Sequence, residues 1–396
     1  MLWAGLLVSI AGSQMQLAAI HWHIRELTGT PDPLALGGIG LARILPVILF
    51  SLFGGAFADT YNRRNILFIT QSLMALTALA LAALTFIGQI QIWHIYLITA
   101  IQAAAIAFDG PARQAIVPNL VSPQDLPNAF SLNSIAFNAG AVVGPALSGV
   151  VIATLGQGYT YLFNAISFLA VIFALLAIGD IPQDLKKTSG VSLRAMQDGI
   201  RFIFTRRIIL STMIMDFFAT FFASATTMMP IVARDLLHVG EVGYGFLISA
   251  QAIGSVTAGL VVSQIPVIRK QGPVFLASVL VFGLATIAFG LANTFALAML
   301  TLILIGAADA VSTIIRNTIR QLNTPDHLRG RMTSINQIFF QGGPQLGEVE
   351  AGLAASAFGV PFAIISGGLG TILAVGLIVL KWPELRQYDS HPPTIP

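Results

Sequence analysis

Charged side chains are the residues best equipped for chemistry in this chain, and they are scarce: only 9% of its 396 residues are Asp, Glu, Lys or Arg. Asp59, Arg63 and Arg64 crowd into one short stretch, GGAFADTYNRRNILF, between two long apolar runs. A carboxylate and two guanidiniums so spaced can pair with other charges or fasten helix ends; a solvated turn that only orients the chain is the plainer alternative. Five more acids, Asp109, Asp216, Asp309, Glu348 and Glu350, fall inside apolar segments. A charge at the centre of a membrane helix costs about 2.5–3.5 kcal/mol on insertion scales, so each needs a partner or a task. Asp109 and Asp309 precede Arg113 and Arg316 by four and seven residues, which favours pairing over proton transfer.

Gln337, Gln341, Gln345 and Glu348 are spaced four, four and three, and so share one helical face. Such a stripe should face water or partners and not lipid. Glu348 closes it with no Lys or Arg within fifteen residues, which makes it the first candidate to carry a proton. Glu350 lies about 200° around the helix, on the side of Gly343 and Gly347. Asp216 is either a cavity acid or an acid near its span end, beside Phe217, Phe218, Phe221 and Phe222. Gln16, Asn133 and Asn138 are further cavity candidates, and His21 and His23 are expected at the outer interface. No nucleophile, metal-ligand or cofactor constellation occurs, and no Gly-Lys-Ser or Gly-Lys-Thr, so neither an enzyme nor a P-loop pump is expected. The absence of cysteine excludes disulfides and thiolate metal sites. No cofactor, metal or nucleic acid is expected.

The elements that position these residues follow from the solvent. The chain is 56% hydrophobic with a mean hydropathy of +0.82, whereas a soluble domain carries about 25% charged residues. Apolar runs recur at the length of about 20 residues that a helix needs to cross a bilayer. Twelve spans are expected, over roughly 2–24, 34–58, 65–88, 92–113, 127–155, 159–179, 208–237, 241–267, 272–291, 295–317, 330–358 and 360–381. The first begins at residue 2 without a charged leader, reads as a span and not a cleaved signal, and points to a truncated start. Residues 1–179 form a first six-helix bundle and 208–381 a second, with a polar linker at 180–207 and a tail at 382–396. Within the linker Leu193, Met196, Ile200 and Ile203 recur at helical spacing, opposite Arg194, Gln197, Asp198 and Arg201, as in a helix lying on the membrane surface.

Seventeen of the 20 Lys and Arg fall on one side of this topology. The positive-inside rule therefore places both termini and the linker in the cytoplasm of a plasma-membrane protein. The halves also repeat each other. DGPARQAIVPNLVSPQDLPNAFSLN and DAVSTIIRNTIRQLNTPDHLRGRMTSIN occupy corresponding places, and each following span contains Gly-Pro, at Gly144-Pro145 and Gly343-Pro344. A parallel repeat of six spans is a transporter layout, with the substrate site at mid-membrane between the halves.

Over nearly its whole length the chain resembles the major facilitator superfamily. Gly55-Ala-Phe-Ala-Asp59-Thr-Tyr-Asn-Arg63-Arg64 is similar to that family's loop between spans 2 and 3, with Thr60 and Asn62 departing from Arg and Gly. Asn62 is expected to keep the positive φ of that Gly. LTGTPDPLALGGIGLARILPVILFSLFGGAFAD, GPARQAIVPNLVSPQDLPNAFSLN and LRGRMTSINQIFFQGGPQLGEVEAG resemble its enterobactin-exporter and macrolide-efflux branch. The resemblance implies a twelve-helix, two-bundle all-α fold. It also implies a cytoplasmic latch of Gly55, Asp59, Arg63, Arg64, Asp109 and Arg113, with Asp59 facing the start of span 11 or Arg113, and Asp109 meeting Arg63. Gly140, Gly144, Pro145 and Gly149 resemble the family's antiporter signature, with Ser148 in place of one Gly. Gln102 stands where drug/proton antiporters carry a span 4 arginine. The expected activity is proton-driven export of a small amphipathic compound by a monomer in the bilayer. An importer or facilitator on the same fold, and a non-transporting receptor or scramblase, are the alternatives.

Overall fold

The computed structural model describes residues 2–122, 124–179 and 201–389. A backbone in lipid must bond to itself, and this one does so as helices: α1 (Leu2–Leu27), α2 (Pro33–Thr60), α3 (Arg63–Phe86), α4 (Ile92–Ile116), α5 (Leu126–Leu155), α6 (Gln157–Ile178), α7 (Arg207–Phe222), α8 (Gly240–Ser263), α9 (Gln271–Gly290), α10 (Phe295–Leu322), α11 (Asp326–Phe358), α12 (Val360–Lys381) and the short α13 (Pro383–Arg386). No strand occurs among the described residues. Among the described residues, eleven segments are long and apolar enough to cross a membrane. The expected eleventh span is the exception. At 33 residues α11 is about 50 Å long, which suffices, but the polar stripe that makes it interesting also lowers its hydropathy.

Local chemistry sets the boundaries. Asp32 caps α2 by accepting from the Ala35 amide at 3.1 Å, with Pro33 at the first helical position. Asn62 corrects an expectation: its φ is −60°, not positive, and its side chain caps α3 by accepting from the Arg64 and Asn65 amides. Asn replaces Gly there because the following helix needs a cap. Gly156 and Gly359, at φ 93° and 90°, each make the single-residue joint between two long helices, α5–α6 and α11–α12.

The described chain groups into two compact units. The first comprises residues up to 179 with His238–Ser249, and the second 201–237 with the chain from Ala250 on. In the first, α1 packs on α5 and α6, α3 on α4 and α6, and α2 on α4. Leu6, Leu67, Ala112, Ile116, Val171 and Leu175 fill one end of it. In the second, α7 packs on α11 and α12, and α9 on α10 and α12. There the α8 segment from Ala250 lies on α10, where Ser255 Oγ donates to Gly306 O at 2.9 Å. The same pairings thus recur, six helices on. Lipid is as apolar as Leu, so these seams depend on close backbone packing, which small residues permit.

Span 7 is not the continuous 208–237 helix expected. α7 stops at Phe222, a 3₁₀ turn runs over Ser224–Met228, and a π turn over Val232–Leu236. Pro230 lacks the amide that an α-helix would need here. Gly347 of α11 and Gly367 of α12 face the Phe221 and Phe222 carbonyls, leaving no room for a side chain. The linker pattern at 193–200 falls outside the described residues. Ile203, at its end, is buried against Ile209, Met213 and Met332. The tail begins docked: Leu385 is fully buried, Gly272 donates its amide to Tyr388 O, and Asn323 Nδ2 donates to the Tyr388 hydroxyl at 2.7 Å.

Candidate functional site

The arginines of the α2–α3 turn fasten helix ends. Arg63 Nε donates to Ala58 O at 3.0 Å, and its Nη1 to Ala115 O at 3.0 Å and Asn119 Oδ1 at 2.8 Å. Arg64 Nε donates to Leu175 O at 2.9 Å. Ala58, Ala115 and Leu175 lie in the last turns of α2, α4 and α6, where carbonyls lack intrahelical partners and the helix dipole is negative. The expected Arg63–Asp109 pair does not form. Asp109, 4% exposed, takes Arg113 Nε and Nη2 at 3.0 and 2.5 Å, Thr70 Oγ1 at 2.9 Å and Gln71 Nε2 at 2.8 Å. Arg113 wins because it stands one turn away on the same helix. Asp59 lies in the last turn of α2, and its side chain falls outside the described residues.

The antiporter-like glycines are contact points within the first unit. A Cβ on Gly140 would stand 2.7 Å from Ile10 Cγ2, and one on Gly144 2.7 Å from Ala11 O. One on Gly149 would meet Glu241 O at 2.5 Å and Gly245 Cα at 3.1 Å. Ser148, in place of a Gly, donates to Met15 O at 2.9 Å. α5 runs on as one helix through the buried Pro145. Nearby, Ser249 Oγ donates to Val142 O at 2.7 Å and the Tyr244 hydroxyl to Ala18 O at 2.8 Å. Gly149→Val should therefore lower stability by about 1–3 kcal/mol, because backbone on both sides cannot give way. Gly55→Ala, with no atom within 4 Å of the new Cβ, should change it little. Thermal unfolding in detergent tests this, and equal midpoints for the two variants would refute it.

The cavity candidates separate. Along α11, Gln337 is exposed, Gln341 half-buried, and Gln345 and Glu348 buried at 7% and 8%. The stripe thus runs inward to Glu348, and Glu350 is half-buried. Gln16 is 3% exposed, and both ends of its amide are taken. Its Nε2 donates to Gln102 Oε1 at 2.7 Å, its Oε1 accepts from Asn164 Nδ2 at 2.7 Å, and Gln102 Nε2 donates to Thr77. A neutral chain thereby ties α1, α3, α4 and α6, and Gln102 serves as its link. Asn133 is half-buried; Asn138 is exposed and donates to Ser134 O on its own helix. His21 and His23, in the last two turns of α1, are buried within the protein, and His23 Nδ1 meets the Tyr161 hydroxyl at 3.0 Å.

Asp216 belongs to an ion cluster and does not stand alone. Its fully buried carboxylate meets Arg316 Nη2 at 3.0 Å and Arg320 Nη2 at 3.4 Å. Arg316 Nη1 also reaches Asp309 at 3.6 Å and donates to Ser312 at 3.0 Å, and Arg320 donates to Thr212 through Nε and Nη2. Reasoning from the sequence paired Arg316 with Asp309, which the structure shows at 3.6 Å, but counted Arg320 only as a topology signal and left Asp216 without a partner. The spacing Asp309, Ser312, Arg316, Arg320 puts all four on one face of α10 and would have revealed the cluster. Among the described residues no group of three or more His, Cys, Asp or Glu could hold a metal.

Comparison with known proteins identifies the family and the fold. A family model described as transmembrane secretion effector matches residues 1–394. The chain is 24% identical to the multidrug efflux pump Tap of Mycolicibacterium fortuitum over 96% of this chain and 94% of that one. It is 27% identical to the staphyloferrin A transporter of Staphylococcus aureus, covering 91% and 90%, and 24% identical to the enterobactin exporter EntS of Citrobacter koseri, covering 86% and 82%. Among solved structures, a bacterial homologue of the lysosomal transporter Spinster matches with a TM-score of 0.73 at 15% identity, over 97% of this chain and 95% of that one, a likeness of fold. The chain belongs to the transmembrane secretion effector family of the major facilitator superfamily, and it is a multi-pass membrane transporter, not an enzyme.

Proposed function

We propose that this transporter is a proton-driven exporter of a small amphipathic compound, siderophore-like or macrolide-like, working by alternating access as a monomer in the cytoplasmic membrane. The observation that carries the reading is the α11 stripe, three glutamines leading to the buried Glu348 in a helix otherwise set among apolar spans. Amides and a carboxyl can bind a polar headgroup and a proton at one place. Export is favoured by the relatives, one an efflux pump and another an enterobactin exporter. Purified protein in liposomes, given siderophores and macrolides under an imposed proton gradient, tests it; flux indifferent to the gradient would sink the coupling.

Two parts of the reading have separate tests. With Lys and Arg so one-sided, we place both termini and the linker in the cytoplasm. A cysteine introduced at 156–158 should react with an impermeant reagent from outside intact cells and one at 184–190 should not; the reverse pattern overturns the orientation. Asp59 is the latch acid of the outward-facing state in this reading, and Arg63, Arg64, Asp109 and Arg113 hold its frame. Asp59→Asn should lower transport at least tenfold at normal expression, a loss of about 1.4 kcal/mol or more of closure. Wild-type flux in that variant would remove the latch.

A further inference from the structure

The acids within the spans differ in how firmly they are held. Asp109 accepts four hydrogen bonds from three residues. Asp216, with no exposed surface, lies between two arginines. Asp309 is the loose member of its cluster: its side chain keeps 38% exposure, its ion pair is the longest at 3.6 Å, and it shares Arg316 with Asp216. Asp216 stands on α7, and Arg316 and Asp309 both on α10, so a shift of α7 along α10 moves Asp216 relative to the guanidinium that it shares with Asp309. The regular helix that carries Asp216 is short and ends six residues on, at Phe222, just before the 3₁₀ turn. α9 and residues 250–263 of α8, which pack on α10, hold no ionisable side chain, and Arg320 is committed to Thr212 and Asp216.

We propose that Asp309 is a proton-exchange group of this transporter, and that Asp216 and Arg316 act as positioning residues which make its proton occupancy depend on where α7 lies against α10. With Arg316 drawn toward Asp216, Asp309 loses its counter-ion and takes a proton from water. When Arg316 returns, the guanidinium favours the carboxylate and the proton leaves to water. This links a helix displacement to proton uptake and release at a site other than Glu348. Its role in transport rests on the proton-driven reading above, but the titration does not.

The test is infrared spectroscopy of the full chain in detergent, without substrate or gradient. The carbonyl band of protonated carboxyls should grow as pH falls, and Asp309→Asn should remove one component that Glu348→Gln leaves in place. Asp216→Asn leaves Asp309 the one acid of the cluster for two arginines and should move that component to lower pH by about one to three units. Arg316→Gln should move it to higher pH. If Asp216→Asn does not fold, Arg316→Gln carries the test, since Asp216 keeps Arg320 there. A band unchanged by Asp309→Asn overturns the proton site. A component that Arg316→Gln leaves unmoved overturns the coupling through α7. If Asp309 titrates as expected while flux ignores the proton gradient, the proton-driven reading fails and the proton exchange at Asp309 stands.

Discussion

Glu348→Gln should leave the chain folded and able to bind its substrate, and should abolish the pH dependence of export. The glutamine is isosteric and keeps an oxygen and a donor where the carboxyl stood, so packing at this buried position changes little. What it cannot do is gain or lose a proton in the physiological range. If export is driven by proton exchange at the end of the α11 stripe, transport against a gradient should fall to the passive level while equilibrium binding survives. Glu350→Gln, two residues on and half-buried, should retain the pH profile. Flux in liposomes as a function of internal and external pH decides the matter. A Glu348→Gln protein that still exports uphill with the wild-type profile removes Glu348 as the coupling acid, and attention would pass to Asp309.

Arg320→Met should be the most destabilising single change in the second unit, by about 3–5 kcal/mol. The guanidinium is 2% exposed and holds Thr212 Oγ1 at 3.1 Å, Thr212 O at 3.0 Å and Asp216 at 3.4 Å. Removing it leaves those acceptors without the donor and Asp216 with half its counter-charge, deep in an apolar bundle. The cost belongs to the broken pair more than to the charge itself. The double variant Arg320→Met with Asp216→Asn should therefore recover a good part of the loss. Thermal unfolding of the two singles and the double gives the coupling; strictly additive losses would mean that the two residues do not act as a pair.

Much of this protein was legible before folding because lipid is a demanding solvent. A backbone that cannot bond to hydrocarbon must be helical, so apolar runs of about 20 residues fixed the elements, and a period of 3.6 fixed which side chains share a face. The α11 stripe is such a case: Gln337, Gln341, Gln345 and Glu348 were aligned by spacing alone. The Gly-rich stretch of span 5 stood out by composition alone, and the structure uses Gly140, Gly144 and Gly149 as places of close approach, which a missing side chain permits.

A helix face states a direction and not what lies opposite, and there the sequence stopped. Arg63 could meet any acceptor within reach; folding gave it the carbonyls ending α2 and α4 and gave Asp109 to Arg113. Gln16 could have lined a cavity, but Gln102 and Asn164, 86 and 148 residues away, close on it. Asp216 had no basic residue nearby on its own helix, and its two arginines come from α10, about a hundred residues on. Span 7 read as one apolar run, yet it breaks where Gly347 and Gly367 bring two other helices against its carbonyls. Spacing along a chain is a one-dimensional quantity that the helix converts into a face. Partnership is a three-dimensional one, decided only when glycine seams and buried charges have settled which faces meet.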